Sequence, residues 1–290
     1  MDIKQVGVVG SGIMGAGIAE VAAKAGFEVV LRSRSLQAAD ACLTRLEKSL
    51  GRQVDKGKLP AVERDTIVSR VTAVTEMGEL EMCELVIESV VEDLAVKKDV
   101  LASLDVLCPD GTILATNTST LSVSELAMAT GRPDLVCGIH FFNPAPVMPL
   151  VEIVPAITTT ASTLAAVRQF AEDCGKTTVQ VKDQAGFVVN GLLFPYLNSA
   201  VAMLDGGVAS ADDIDAAMRG GCSFPMGPFE LLDLVGLDTS LAILQALYDE
   251  RGDVCCLPAP LLRRTVAAGH LGRKTGRGFH TYPQPGTSAG

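Results

Sequence analysis

The first residues whose types and spacing could do chemistry are three glycines near the start of the chain. The run Val6-Gly7-Val8-Val9-Gly10-Ser11-Gly12-Ile13-Met14-Gly15 sets Gly10, Gly12 and Gly15 at the G-x-G-x-x-G spacing, after a strand-like segment and before a helix-like one. Gly10 permits a tight turn, Gly12 lets the backbone around Ser11, Ile13 and Met14 approach a pyrophosphate, and Gly15 allows the helix to pack close to the strand. The helix N-terminus then turns its partial positive charge toward the phosphates. An isolated glycine turn is also ordinary punctuation. Here strand, turn, helix over residues 13–25, a stop at Gly26 and a second strand follow within about 30 residues, as a mononucleotide-binding unit requires.

Cofactor choice is read at the end of that second strand. Sites that prefer an unphosphorylated ribose place an acidic residue there to accept from its 2′-OH. This chain has Arg32-Ser33-Arg34 instead. Without a carboxylate nothing repels a 2′-phosphate, while Ser33 offers a hydroxyl donor and Arg34 or Arg32 a charge-assisted one. NADP(H) is therefore expected over NAD(H). The alternative is that the arginines decorate an exposed loop and either cofactor is used.

A third signal is His140, read as following a strand at residues 135–139 and preceding Phe141-Phe142-Asn143-Pro144-Ala145-Pro146. Two aromatics and a run of prolines make a rigid, mostly apolar turn around one titratable group, which suits a general acid/base. A histidine beside apolar residues also serves as a core residue. Twelve positions on, Glu152 stands alone in the apolar stretch Leu150-Val151-Glu152-Ile153-Val154, and a buried carboxylate needs a partner. If that partner is His140, Glu152 fixes the imidazole tautomer and stabilises the imidazolium. The rival reading pairs Glu152 with a basic side chain elsewhere.

Elements must position these groups. Up to about residue 183 short apolar runs alternate with longer amphipathic ones, as in a parallel α/β sheet, with strands expected at 6–9, 28–31, 85–89, 112–116 and 135–139. Between the second and third lies an amphipathic helix over 37–58, where Leu43, Leu46, Leu50 and Val54 recur at three or four residues. Beyond Gly186 the sequence becomes helical runs broken by Gly and Pro, at 187–204, 211–219, 241–251 and 259–268. The expected organisation is a dinucleotide-binding α/β domain over 1–184 and an all-α domain over 185–290. Residues 283–290, rich in Pro, Gly and Ser, are expected to fray.

Composition narrows the class. With 24 basic and 34 acidic residues in 290 the formal charge is −10, which disfavours a phosphodiester partner, so no nucleic acid is expected. Eight cysteines without a Cys-x-x-Cys and only three histidines suggest reduced thiols in the cytoplasm and no metal. The adjacent Cys255 and Cys256 are read as part of an ordinary loop. The N-terminus lacks the features of a signal peptide. An uncharged run over 184–204 is long enough to span a bilayer, but Asn190, Pro195 and Asn198 within it favour a buried helix, so no membrane partner is expected.

At this point the sequence resembles the L-3-hydroxyacyl-CoA dehydrogenases, particularly the short single-function type, over nearly the whole chain. The likeness is carried by Gly138-Ile139-His140-Phe141-Phe142-Asn143-Pro144, Asn117-Thr118-Ser119, Gly186-Phe187-Val188-Val189-Asn190, Phe224-Pro225-Met226-Gly227-Pro228 and Gly272-Arg273-Lys274-Thr275-Gly276-Arg277-Gly278-Phe279. The resemblance implies a Rossmann-type N-terminal domain, an all-α C-terminal domain and a homodimer through the latter, with the active site in the cleft between domains. It implies that His140 is the base acting on the 3-hydroxyl of an acyl-CoA, that Glu152 holds it, and that Ser119 and Asn190 hydrogen-bond the reacting oxygen. Glu92, Lys97, Asn117 and Asn143 match cofactor-binding positions, and Ser49 and Lys56 match contacts to coenzyme A. Ser49, Lys56 and Lys97 also fit a plain solvated helix face, whereas Asn190 is read as a buried amide inside an apolar helix that must be satisfied.

Three positions depart from the family pattern. Ser33 replaces the usual acidic residue. Ala185 stands where proline is usual and is expected to loosen the interdomain passage slightly. Gly191 replaces an arginine, which removes a charge and adds backbone freedom beside Asn190.

Overall fold

The computed structural model describes residues 3–283. They form two compact units that divide between Asp183 and Gln184. The expected fraying of residues 284–290 lies outside the described residues.

The first unit is built on strands β1 (Gln5–Val9), β2 (Glu28–Arg32), β3 (Val71–Val74), β4 (Leu85–Glu88), β5 (Ile113–Thr116), β6 (Val136–Phe141), β7 (Leu150–Pro155) and β8 (Thr177–Gln180). They make one sheet in the order β3-β2-β1-β4-β5-β6-β7-β8. The first six run parallel, β7 turns back antiparallel to β6, and β8 lies parallel to β7. Strand order reverses between β1 and β4, the switch point outside which ligands bind at the carboxyl ends of such sheets. Helices on both faces explain why β4, β5 and β6 are buried at every residue and read as continuous apolar runs rather than alternating ones.

The helices of this unit are α1 (Ile13–Lys24), α2 (Leu36–Asp55), α3 (Ala61–Ser69), α4 (Leu94–Leu107), α5 (Val123–Ala127) and α6 (Ala161–Asp173). Local chemistry sets their starts. The Ser35 hydroxyl accepts from Ala38 N at 3.2 Å to cap α2, and the Asp93 carboxylate accepts from Val96 N at 3.0 Å to cap α4. α2 buries Ala39, Cys42, Leu46 and Leu50, the three- and four-residue spacing of one face. It ends at Asp55, so Lys56 caps the helix instead of lying on it.

The second unit is helical: α7 (Val189–Asp205), α8 (Ala211–Cys222), α9 (Pro228–Val235), α10 (Leu237–Arg251) and α11 (Pro260–Ala267). Its core gathers Phe194, Leu197, Phe229, Leu232, Leu244, Leu247 and Leu262, among others. The uncharged run over 184–204 folds as a turn followed by most of α7, and among the described residues no single helix is long and apolar enough to cross a membrane. Asn190 lies in the first turn of α7 and is half-buried, which corrects the reading of it as a buried mid-helix amide. That description fits Asn198, 6% exposed, whose Nδ2 donates to the carbonyls of Cys255 and Leu257 and whose Oδ1 accepts from Ala259 N.

The two departures flanking Asn190 are coupled to α10. Ala185 N donates to Glu250 Oε2 at 2.9 Å, a bond that proline could not make, so Ala185 ties this segment down where loosening was expected. Arg251 donates through Nη2 to Ala185 O at 2.8 Å, and its guanidinium lies where a Cβ on Gly191 would approach to 2.8 Å. An arginine therefore reaches this place from α10 in the chain that lacks one at 191.

Candidate active site

The phosphate turn sits at the carboxyl end of β1. Gly10 has φ 113°, and a side chain there would strike the Ser89 carbonyl, while one at Gly15 would strike the Gly10 carbonyl. Around Gly12, by contrast, a Cβ would meet nothing within 4 Å. Gly12 is the N-cap of α1, which has no side-chain cap and no acidic residue in its first turn. A cradle of uncapped N–H groups beside open space suits an anionic group. Ser11, Ile13 and Met14 lie along this turn, and Arg45 of α2 reaches it, donating to Ser11 O at 2.6 Å. Arg45 was not singled out from sequence.

At the end of β2 the three polar residues divide. Arg32 Nε donates to Thr75 O at 3.1 Å, and Arg34 is exposed. Ser33 is 1% exposed and its hydroxyl is buried with no hydrogen-bond partner. The hydroxyl read from sequence as a donor at the loop surface thus lies beneath it.

His140 is the fifth residue of β6, not a residue following the strand, and it is 6% exposed. The antiparallel register pairs it directly with Glu152 of β7, and His140 Nδ1 lies 2.8 Å from Glu152 Oε2. An ionised carboxylate only accepts, so with Glu152 ionised this contact assigns the hydrogen to Nδ1 and leaves Nε2 as the other ring nitrogen. The contact that the sequence offered as one of two pairings for Glu152, with His140, is thus present. The Phe142 ring lies against the imidazole at 4.5 Å between centroids.

The turn after His140 is braced from two sides. A Cβ on Gly17 of α1 would stand 3.1 Å from Ala145 and 3.2 Å from Pro146, so this glycine lets the phosphate-facing helix pack against the turn. Lys176, whose ammonium is held below the ordinary lysine value by burial, donates to the carbonyls of Ala145 at 2.7 Å and Met148 at 2.9 Å. Asn143 is exposed on this turn. Asn117, just beyond β5, accepts from Phe141 N through Oδ1 at 2.8 Å, which locks the end of β6 to that of β5.

Ser119 belongs to a polar cluster. Glu92 Oε1 accepts from Thr118 Oγ1 (2.7 Å), Ser119 N (2.7 Å), Ser119 Oγ (3.1 Å), Thr120 N (3.0 Å) and Thr120 Oγ1 (3.2 Å). Burial pushes the Glu92 carboxyl up, but the Lys97 charge and the hydrogen bonds from Thr118, Ser119 and Thr120 outweigh it and hold it below the ordinary glutamate value. Lys97 is 1% exposed, which overturns the solvated-face alternative. Its position shares a stripe with buried Leu101 and Leu104, a spacing that was available in the sequence.

The carboxyl ends of β1, β4, β5 and β6 thus carry the glycine turn, Glu92, Asn117 with Ser119, and His140 along one edge of a parallel sheet. Ser49 and Lys56 are elsewhere, the first half-buried on α2 and the second exposed at its C-cap. In the helical unit Asp253, Cys255 and Cys256 bring their ligating atoms within 4.8 Å of one another, the two thiols lying 3.9 Å apart.

A glycine turn at the switch point of a doubly wound sheet, with a buried histidine–carboxylate contact on the same edge, is the architecture of the dinucleotide-binding α/β oxidoreductases. Comparison with known proteins narrows this class. Residues 5–184 match the model of the 3-hydroxyacyl-CoA dehydrogenase NAD binding domain, and residues 186–282 match that of the 3-hydroxyacyl-CoA dehydrogenase C-terminal domain. The chain belongs to the 3-hydroxyacyl-CoA dehydrogenase family. It is 47% identical to a 3-hydroxybutyryl-CoA dehydrogenase of Mycobacterium tuberculosis over 97% of this chain and 99% of that one. It is 44% identical to a probable 3-hydroxybutyryl-CoA dehydrogenase of Bacillus subtilis over 98% and 99%. Among solved structures, M. tuberculosis FadB2 superposes with TM-score 0.96 at 46% identity, covering 98% of this chain and all of that one. The (S)-3-hydroxybutyryl-CoA dehydrogenase PaaH1 of Ralstonia eutropha gives TM-score 0.95 at 41% identity with the same coverage.

Proposed function

We propose that the protein interconverts a short-chain (3S)-3-hydroxyacyl-CoA and the 3-oxoacyl-CoA, with His140 as general base in one direction and general acid in the other. The observation that carries this reading is the buried His140–Glu152 contact at 2.8 Å. Glu152 holds the proton on Nδ1, so Nε2 takes the proton of the 3-hydroxyl and the imidazolium that forms is stabilised by the carboxylate. Asn190, and Ser119 once its hydroxyl turns from Glu92 toward the substrate, donate to the reacting oxygen and steady its developing charge. Ser49 and Lys56 bind the nucleotide end of coenzyme A.

The dinucleotide is held by the turn Gly10, Ser11, Gly12, Ile13, Met14 and Gly15, with Glu92, Asn117 and Asn143 lining it and the covered Lys97 acting from behind Glu92. When bound, its nicotinamide supplies the two-electron acceptor or donor for C3. NADP(H) is favoured over NAD(H), because β2 ends without a carboxylate and Arg34 is exposed there. Because Ser33 is covered, Arg34 carries the charge-assisted contact in this reading.

The helical unit mediates a homodimer. Support comes from its exposed apolar side chains, including Leu192, Val208 and Leu234. Eight free cysteines fit a reducing compartment such as the cytoplasm.

The test is the initial rate of acetoacetyl-CoA reduction beside that of free acetoacetate. Rapid oxidation of reduced cofactor with the thioester alone is the expected result. Equal rates with the free acid would overturn the coenzyme A assignment.

A further inference from the structure

We propose that Glu88 is a positioning residue for the Thr118-Ser119-Thr120 segment, acting through Lys97 and Thr116; this rests on the reading of Ser119 as a donor to the reacting oxygen. Glu88 is the last residue of β4, in register with Val9 just before the glycine turn and with Thr116 at the end of β5. It is fully buried and touches neither the turn's open space nor solvent.

Both of its oxygens are occupied. Oε1 accepts from Lys97 Nζ at 2.8 Å and from Val90 N at 2.6 Å, and Oε2 accepts from Lys97 Nζ at 3.0 Å and from Thr116 Oγ1 at 2.7 Å. Two routes then lead to Ser119. The Lys97 ammonium, fixed by Glu88, also lies 3.4 Å from Glu92 Oε2, and the other oxygen of Glu92 gathers the five donors of residues 118–120. The Thr116 hydroxyl, having given its proton to Glu88, accepts from Thr118 N at 3.3 Å.

Stability alone is a poor account of this arrangement. Burying an ion pair costs desolvation that apolar packing would avoid, so such a pair is weak evidence for a stabilising role. What the pair does hold is orientation. An ammonium with three donors, pinned by one carboxylate, presents a fixed charge to the second, and the loop beyond β5 is folded around that second carboxylate.

The test uses Glu88→Gln, with Thr116→Val as the gentler variant should the first not fold. Hydrogen exchange of the Ser119 and Thr120 amides is compared with the amides of β2, and kcat with acetoacetyl-CoA is measured well below the melting temperature. Positioning predicts local exchange faster by about tenfold with β2 unchanged. It also predicts kcat lowered about tenfold or more, since an ångström of misplacement costs up to ~10²-fold. A lower melting temperature with local exchange and kcat within about twofold of the unaltered protein would reduce Glu88 to a merely structural residue and overturn the proposal. If the unaltered protein does not turn over the thioester, the catalytic reading fails by itself, and the exchange result still decides the Glu88 relay.

Discussion

His140 and Glu152 are direct cross-strand neighbours in the antiparallel β6–β7 pair, and their side chains meet through Nδ1 and Oε2 at 2.8 Å. Their twelve-residue separation in sequence is a consequence of the hairpin that joins these strands. The connection over 142–149 returns the chain so that each β6 residue from Cys137 to Phe141 faces its partner between Pro155 and Val151. The sheet thus delivers a carboxylate to an imidazole without either residue leaving its strand. Lys176 and Gly17 keep the returning turn in place, one by donating to its carbonyls and the other by making room for it.

On the proposed preference for NADP(H), Arg34 is the residue that holds the 2′-phosphate. Arg34→Ala is expected to raise KM for NADPH about tenfold, the equivalent of one charge-assisted hydrogen bond of roughly 1.5 kcal/mol, and to leave KM for NADH unchanged. Parallel titrations of both cofactors check this. Equal changes for both would remove the 2′-phosphate contact, and better use of NADH by the unaltered protein would remove the preference itself.

The segment before α7 is adapted to its own α10. Restoring the family's arginine by Gly191→Arg inserts a side chain where the Arg251 guanidinium lies, and is expected to destabilise by about 1–3 kcal/mol. Adding Arg251→Ala should recover part of that loss, giving a non-additive cycle in urea unfolding. Ala185→Pro removes the donor to Glu250 and should cost roughly 1–3 kcal/mol. Additive effects of the 191 and 251 changes would show that the two positions do not share one space.

Of the eight thiols, Cys222 and Cys255 are exposed. Burial pushes Cys83, Cys137 and Cys174 up to about 12, and it also raises Cys42, Cys108 and Cys256. Ellman's reagent should therefore modify two thiols rapidly in the folded protein and all eight after unfolding. Loss of the fast phase in Cys222→Ser and Cys255→Ser identifies them; a fast phase that survives both changes would contradict the burial of the others.

Glu92 sets an acid limit. Its carboxyl titrates below the ordinary glutamate value in the folded protein, so it stabilises the fold above that ordinary value. The contribution disappears as pH falls from about 4.3 through the lower folded value. Glu92→Gln should lower the melting temperature at neutral pH, with the gap narrowing as pH falls below the ordinary glutamate value. A gap constant over this range would mean that the carboxylate charge is not what holds residues 118–120.

The glycine turn was legible from sequence because every part of its chemistry is local: spacing, strand, helix and stop all fall within one short stretch. The dyad was legible only as two candidates, since periodicity does not say which strands pair or in what register. Strands β3 and β8 were not legible because they are short edge elements, and β8 is exposed at Thr177, Val179 and Gln180. The solvated-face alternative for Lys97 arose because a charged type suggests solvent, although its spacing with Leu101 and Leu104 marks the inner face of α4. Asn190 is less covered than expected because α7 begins at Val189, later than the apolar run suggested, which leaves it in the first turn. Arg251 and Glu88 act through contacts distant in sequence, which no local pattern announces.

The most direct measurement is kcat for acetoacetyl-CoA reduction by the unaltered protein, His140→Ala and Glu152→Gln, with dinucleotide Kd determined alongside. The account predicts turnover in the unaltered protein, a loss of about 10²–10⁴-fold in both variants, and Kd within about twofold throughout. Near-full activity in either variant, with the fold intact, would contradict the assignment of His140 and Glu152 as the acid–base pair.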